Sequence, residues 1–117
     1  MTTMTTPALT TATRRAGLRL SADWLNPTVV RISASGDIDA SNTAELLDFV
    51  LRRGANCRSL ILDLSDVTFF ATAGFSALRT IDLRSSRASV SWMVVDGPAV
   101  SRVLRICDPE RTLPRGV

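Results

Sequence analysis

The chain has 117 residues, 45% of them apolar, and a formal net charge of +3. That allows one domain around one core, and no apolar run reaches the roughly 18 residues a membrane span needs. The lack of His and Tyr, and of Lys, excludes histidine bases, Ser-His-Asp triads, Schiff-base lysines and the lysine of a phosphate-binding loop. No enzyme activity is expected.

All 14 basic residues are arginines, so the basic pI reflects arginine's high pKa more than a dense basic surface. Apart from Arg14-Arg15 and Arg52-Arg53 they stand singly, without interleaved aromatics, and no direct nucleic-acid partner is expected. Cys57 and Cys107 are far apart in sequence, which with carboxylates alone is poor zinc chemistry. No metal and no cofactor are expected. The two thiols read as reduced and buried, with a redox disulfide between them as the other possibility.

In chain order, residues 1–15 are Thr-rich at the start, carry no apolar stretch and read as a flexible tail rather than a signal peptide. Residues 16–117 form the domain, expected to be soluble and cytoplasmic. Leu18 and Leu20 alternate with polar residues over Gly17 to Ala22, predicting a half-buried strand. Asp23 to Pro27 reads as a turn, and Val29 to Ser35 as a second strand that stops at Gly36. Asp39 or Ser41 then caps a helix, with Ala44, Leu47, Val50 and Leu51 as its apolar stripe, Leu46 widening it, and Gly54 as the stop.

Ser59 to Leu64 is a continuous apolar run, the mark of a strand buried on both faces. A loop follows, then a helix from about Ala73 to Arg84 that buries Phe75, Leu78 and Ile81. Val90 to Val95 predicts a fourth strand. Gly97-Pro98 opens a last helix with Val100, Val103, Leu104 and Cys107 on one face. The fold class is therefore α/β: a mixed four- to five-stranded sheet in the order β-β-α-β-α-β-α, with helices packed on it. Right-handed crossovers make the last three strands parallel.

Sites in open α/β sheets gather outside the carboxyl ends of parallel strands. Two segments fall there, Gly36-Asp-Ile-Asp39 and Ser65 to Gly74, and one crossover makes them neighbours. Thr72 lies at the strand-to-helix junction, beside unpaired N–H groups and the positive end of a helix dipole. Its hydroxyl reads either as a helix cap or as a phosphoryl acceptor, and the two roles are compatible. Ser65 and Ser76 are lesser candidates. Asp37 and Asp39 either contact an arginine of a partner or serve the turn and the cap. Asp63 and Asp66 read as turn and surface residues rather than a metal pair. Phe69 and Phe75 read as core and Phe70, set opposite Phe69 by alternation, as an exposed apolar anchor.

At these residues the chain resembles a STAS domain, the module shared by anti-sigma factor antagonists and sulfate transporter tails. The matching pieces are Gly36-Asp-Ile-Asp39 with Ala44-Glu-Leu-Leu47, Asp63-Leu-Ser-Asp-Val67 with Phe69, Thr72 and Gly74, and Val94-Val-Asp-Gly-Pro98 with Val100, Val103 and Leu104. The resemblance covers roughly residues 16 to 108. It implies a protein that binds a sigma-sequestering serine/threonine kinase, the anti-sigma factor, when unphosphorylated, and lets go when a hydroxyl at the Thr72 position is phosphorylated. The implied binding surface is Gly36, Asp37, Asp39, Ser65, Phe70, Ala71, Thr72, Ala73, Gly74 and Phe75, on a monomer or weak dimer. Two positions depart from the pattern: Ala71 stands where Asp is common, and Ala73 where Ser is frequent. The alternative is an unphosphorylated scaffold, an accessory subunit of a lipid-transport ATPase or a part of a stress-signalling assembly.

Overall fold

The computed structural model describes residues 10–15 and 17–116. Their elements are β1 (Thr10–Arg15), β2 (Leu18–Asn26), β3 (Val29–Ile38), α1 (Thr43–Arg53), β4 (Ser59–Phe70), α2 (Thr72–Arg87), β5 (Ser91–Asp96) and α3 (Pro98–Cys107). The sheet runs β1-β2-β3-β4-β5. Its first pairings are antiparallel, while β3, β4 and β5 are parallel as predicted. The expected tail is corrected at Thr10–Arg15, which pairs along β2 as an edge strand. The remainder of that expectation, residues 1–9, lies outside the described residues.

The inward row of the sheet is Leu20, Ala22, Val30, Ile32, Leu60, Leu62, Trp92 and Val94, all buried. Trp92 donates its indole N–H to Asp82 of α2 at 2.8 Å, satisfying the polar end of a ring whose body is in the core. Leu46, Leu78, Ile81 and Leu104 close the core from the helices. On α1 the buried stripe is Leu46, Phe49 and Val50, with Ala44 exposed and Leu47 and Leu51 at the margin. The expected stripe is thus rotated toward Phe49, whose burial the list of aliphatic residues missed.

Strand lengths also differ from expectation. No turn forms at Asp23: β2 continues, with Asp23 opposite Arg31 and Trp24 opposite Val30. The hairpin closes further on, where Asn26 Oδ1 accepts the N–H groups of Thr28 and Val29 at 2.9 and 3.0 Å. Nor does β3 stop at Gly36, which adopts φ +94 and carries the strand on to Ile38. The predicted loop after Leu64 is strand as well. Between Ser33 and Ser35 the partner strand advances from Asp63 to Asp66, and between Gly36 and Asp37 it advances from Val67 to Phe69. Each step puts one extra residue on β4, a bulge that shifts which side chains face inward. Buried apolar positions accordingly run Leu60, Leu62, Leu64, Val67 and Phe70.

Candidate functional site

Beyond the bulges, β3 and β4 end side by side: Gly36 faces Val67, Asp37 faces Phe69 and Ile38 faces Phe70. Ala71 donates its N–H to the Ile38 carbonyl at 2.9 Å. The Thr68 hydroxyl lies 3.2 Å from both the Gly36 carbonyl and Asp37 Oδ1. The two segments that sequence topology makes neighbours are therefore bonded to each other, and Thr72 follows directly.

Between β3 and α1 the chain folds into a tight polar turn. Asp39 Oδ1 accepts from the Ser41 N–H at 2.9 Å and the Ser41 hydroxyl at 2.6 Å. Those bonds, the hydroxyl first, hold the Asp39 carboxyl below the usual carboxylate range. Neither Asp39 nor Ser41 is the cap of α1; Asn42 occupies that position. Its side chain turns back instead, donating from Nδ2 to the Asp37 carbonyl at 2.9 Å and accepting the Asp39 N–H at 3.0 Å. Asn42 is 1% exposed. It is the residue sequence reasoning missed, although Asn directly before a helical stripe is itself a start signal.

Thr72 is the first residue of α2 and is exposed. The cap position belongs to Ala71, in extended conformation, with no side-chain cap bond. The reading of Thr72 as the cap is corrected on that geometry: a cap residue stands just outside the helix with non-helical dihedrals, and Ala71 holds them. The helix start keeps the partial positive charge of its first-turn N–H groups, next to an exposed hydroxyl.

The aromatic assignment is reversed. Phe70 is 4% exposed and Phe69 is 53% exposed. Alternation did set the two on opposite sides, but the bulges decide which side is inward. Gly74 belongs with Phe70: a Cβ there would lie 2.5 Å from the Phe70 ring, so the ring packs where any larger residue would stand. Both are structural members of the site. Phe75 is half-buried, with the Arg79 guanidinium 5.9 Å from its ring centroid. Ser65 is exposed, and Ala71 and Ala73 are half-buried.

Asp63 is no surface turn residue. It is buried in β4, ion-paired to Arg31 of β3, and its Oδ1 accepts the Ser65 N–H and hydroxyl at 3.0 and 2.6 Å. These bonds brace the strand at the first bulge. Asp66 is exposed. At the far end of α3, buried Asp108 accepts from the Thr112 hydroxyl and N–H and the Leu113 N–H, and Arg115 approaches it at 3.8 Å. Cys57 is buried and Cys107 half-buried, both as free thiols. Burial pushes the Cys57 thiol up.

Desolvation raises the Asp63 carboxyl, but the Ser65 hydroxyl, the Arg31 guanidinium and the Ser65 N–H together hold it below the usual range. The same contest at Asp108 is won by Thr112, Leu113 and Arg115. Both groups bind a proton less readily folded than unfolded. Their stabilisation is therefore complete above the unfolded pKa of about 3.9 and is lost as pH falls through the lower folded values. The urea midpoint should be flat above about pH 5 and drop below about pH 4. Asp108→Asn should lower the midpoint at neutral pH and flatten that acid limb; an equally steep limb would remove Asp108 from the account.

The site is thus an exposed hydroxyl at a helix start, framed by an acidic turn and an exposed phenyl ring, with no group of three metal-ligating side chains among the described residues. The chain belongs to the STAS-domain family, whose model matches residues 25–113. It is 32% identical over 77 residues to Osmosensory protein A of Mycobacterium tuberculosis (strain ATCC 25618 / H37Rv), a match covering 66% of this chain and 49% of that protein. The chain thus spans about half the length of that curated relative.

Two solved structures share the fold. One is an anti-sigma factor antagonist from Mycobacterium paratuberculosis, with TM-score 0.67 and 24% identity, covering 91% of this chain and 82% of that one. The other is the anti-sigma factor antagonist SpoIIAA in its unphosphorylated form, with TM-score 0.68 and 10% identity, covering 84% and 88%. No helix among the described residues is long and apolar enough to cross a membrane.

Proposed function

We propose that this protein is a cytoplasmic anti-sigma factor antagonist. It binds a kinase-type anti-sigma factor through the surface of Asp37, Asp39, Ser65, Phe69 and Thr72, and so frees a sigma factor. The observation that carries this reading is the exposed Thr72 hydroxyl at the start of α2, adjoining the Asp37–Asp39 turn through the Ala71-to-Ile38 bond. A phosphate there meets the favourable end of the helix dipole, so the modified domain stays folded. The added charge of about −2 then acts at the partner surface. Phe69 replaces Phe70 as the apolar anchor.

Incubation with the cognate kinase and ATP tests the reading directly. Phosphate should appear on Thr72 and be absent from Thr72→Ala. Modification elsewhere, or persisting in that variant, would defeat the switch.

Ala71 and Ala73 favour one second reading. A kinase that needs an acidic neighbour finds none at position 71, and Thr72 then stays unmodified on a scaffold or on an accessory subunit of a transport ATPase. Capture of an ATPase, with no transfer to Thr72, would decide for it.

A further inference from the structure

After α3 the chain doubles back along the edge of the sheet. The Pro114 carbonyl accepts the Val94 N–H at 2.9 Å, and Gly116 donates its N–H to the Val94 carbonyl at 2.7 Å, a parallel bridge that sets Arg115 beside Val94. β5 is the last strand of the sheet, so residues 113–116 lengthen the sheet by one short strand. Leu113 is buried in the core, and the Arg115 side chain is 9% exposed, between Asp96 and Asp108. The hold is uneven. Both Arg115 ion pairs are long, 3.9 and 3.8 Å, and its Nε is buried with no hydrogen-bond partner among the described residues, which costs free energy.

The link from α3 to this segment is short and strained. It consists of exposed Pro109, Glu110 and Arg111, and Arg111 sits at φ +55, the left-handed region that a residue other than glycine enters at a cost. Extending the link removes that strain. Three extended residues span about 10 Å, which carries residues 112–116 away from their own seat. We infer that two copies exchange these segments: Leu113 and Arg115 of each fill the seat on the other, and Asp108 of each accepts from Thr112 of the other. The contacts of the closed form are kept between copies, save the hinge bond from the Arg111 N–H to the Asp108 carbonyl. That is why exchange is a low-cost route to a dimer, and a strained hinge invites it. Ile106, 77% exposed in the last turn of α3 and two residues before Asp108, gains cover where the two hinges pass. The contact is two-fold and closes on a dimer. The segment runs parallel to β5 and enters from its amino end, away from Thr72, so both Thr72 surfaces stay free. The inference does not depend on what binds there.

Sedimentation velocity on the full chain tests it, with the protein refolded from urea over a range of concentrations so that segments can exchange. The parent should populate a dimer, and nothing larger, that grows with concentration. Arg111→Gly relaxes the closed hinge and should weaken dimerisation on the order of tenfold or more, since each dimer opens both hinges. Arg111→Pro should do the reverse, because proline's fixed φ of about −65° denies the closed hinge. That variant should be mostly dimer where the parent is mostly monomer. Opposite shifts at one exposed position mark an exchange; a side-by-side contact does not produce them. A parent that stays monomeric up to its solubility limit would overturn the inference, as would two variants that associate like the parent. Should Arg111→Pro fail to fold by circular dichroism, Arg111→Gly decides alone, and an unchanged dimer there would count against the exchange.

Discussion

Gly36→Ala is expected to destabilise the domain by about 3–5 kcal/mol, a large share of the roughly 5–15 kcal/mol that holds a domain of this size folded. Two independent costs combine. Gly36 sits at φ +94, where a side chain strains the backbone by about 1–3 kcal/mol. A Cβ there would also lie 2.0 Å from the Gly17 carbonyl oxygen, a backbone atom that cannot step aside without parting β2 from β3. Asp37 donates its N–H to the same carbonyl at 3.1 Å, so the displaced strand would also drag the acidic turn. Thermal unfolding should therefore begin about 10 °C or more below the parent. Ser35→Ala, one residue away and free of both costs, should move it little. A Gly36→Ala protein melting within a few degrees of the parent would show that the β2–β3 contact is looser than described.

Thr72→Glu should separate stability from binding. A carboxylate at the first position of α2 interacts favourably with the helix dipole, by about 0.3–1 kcal/mol at an exposed site, so the melting temperature should hold or rise slightly. Partner affinity should fall in the same variant. The new charge stands on a surface that already carries Asp37 and Asp39, and a partner matched to the uncharged hydroxyl meets it desolvated and unpaired. Like-charge or unmatched contacts of that kind cost several kcal/mol, about a hundredfold or more in Kd. Titration calorimetry against the kinase-type partner, beside thermal melts, reads both quantities. Thr72→Val should leave affinity within a few-fold, since it removes the hydroxyl and adds no charge. Equal affinities for the parent and Thr72→Glu would refute regulation through this position, even if the partner were correctly identified.

Both predictions concern the end of the sheet at which β2, β3 and β4 come together, and it is there that structure departs furthest from the sequence expectation. The helix over α2 was legible because Leu78 and Ile81 repeat with helical spacing, and the strand at Leu60 to Leu64 because its apolar run is continuous. The neighbourhood of the Asp37–Asp39 turn and Thr72 followed from the rule that crossovers are right-handed and short, which needs only element order. The acidic turn itself was half visible: Asp39 bonds locally to Ser41, while the tie between Asp37 and Asp39 runs through the buried side chain of Asn42.

What the amino-acid string determined, then, were the properties set by neighbours close in sequence: element types, their order, the parallel pairing, and a hydroxyl at a strand-to-helix junction. Tertiary structure alone decided that β4 runs on to Phe70, that Phe69 rather than Phe70 meets solvent, and that Ala71 rather than Thr72 is the cap. The reason is that a bulge is a mismatch in count between two strands. Whether β4 carries an extra residue depends on what β3 places beside it, and periodicity within one strand does not contain that information.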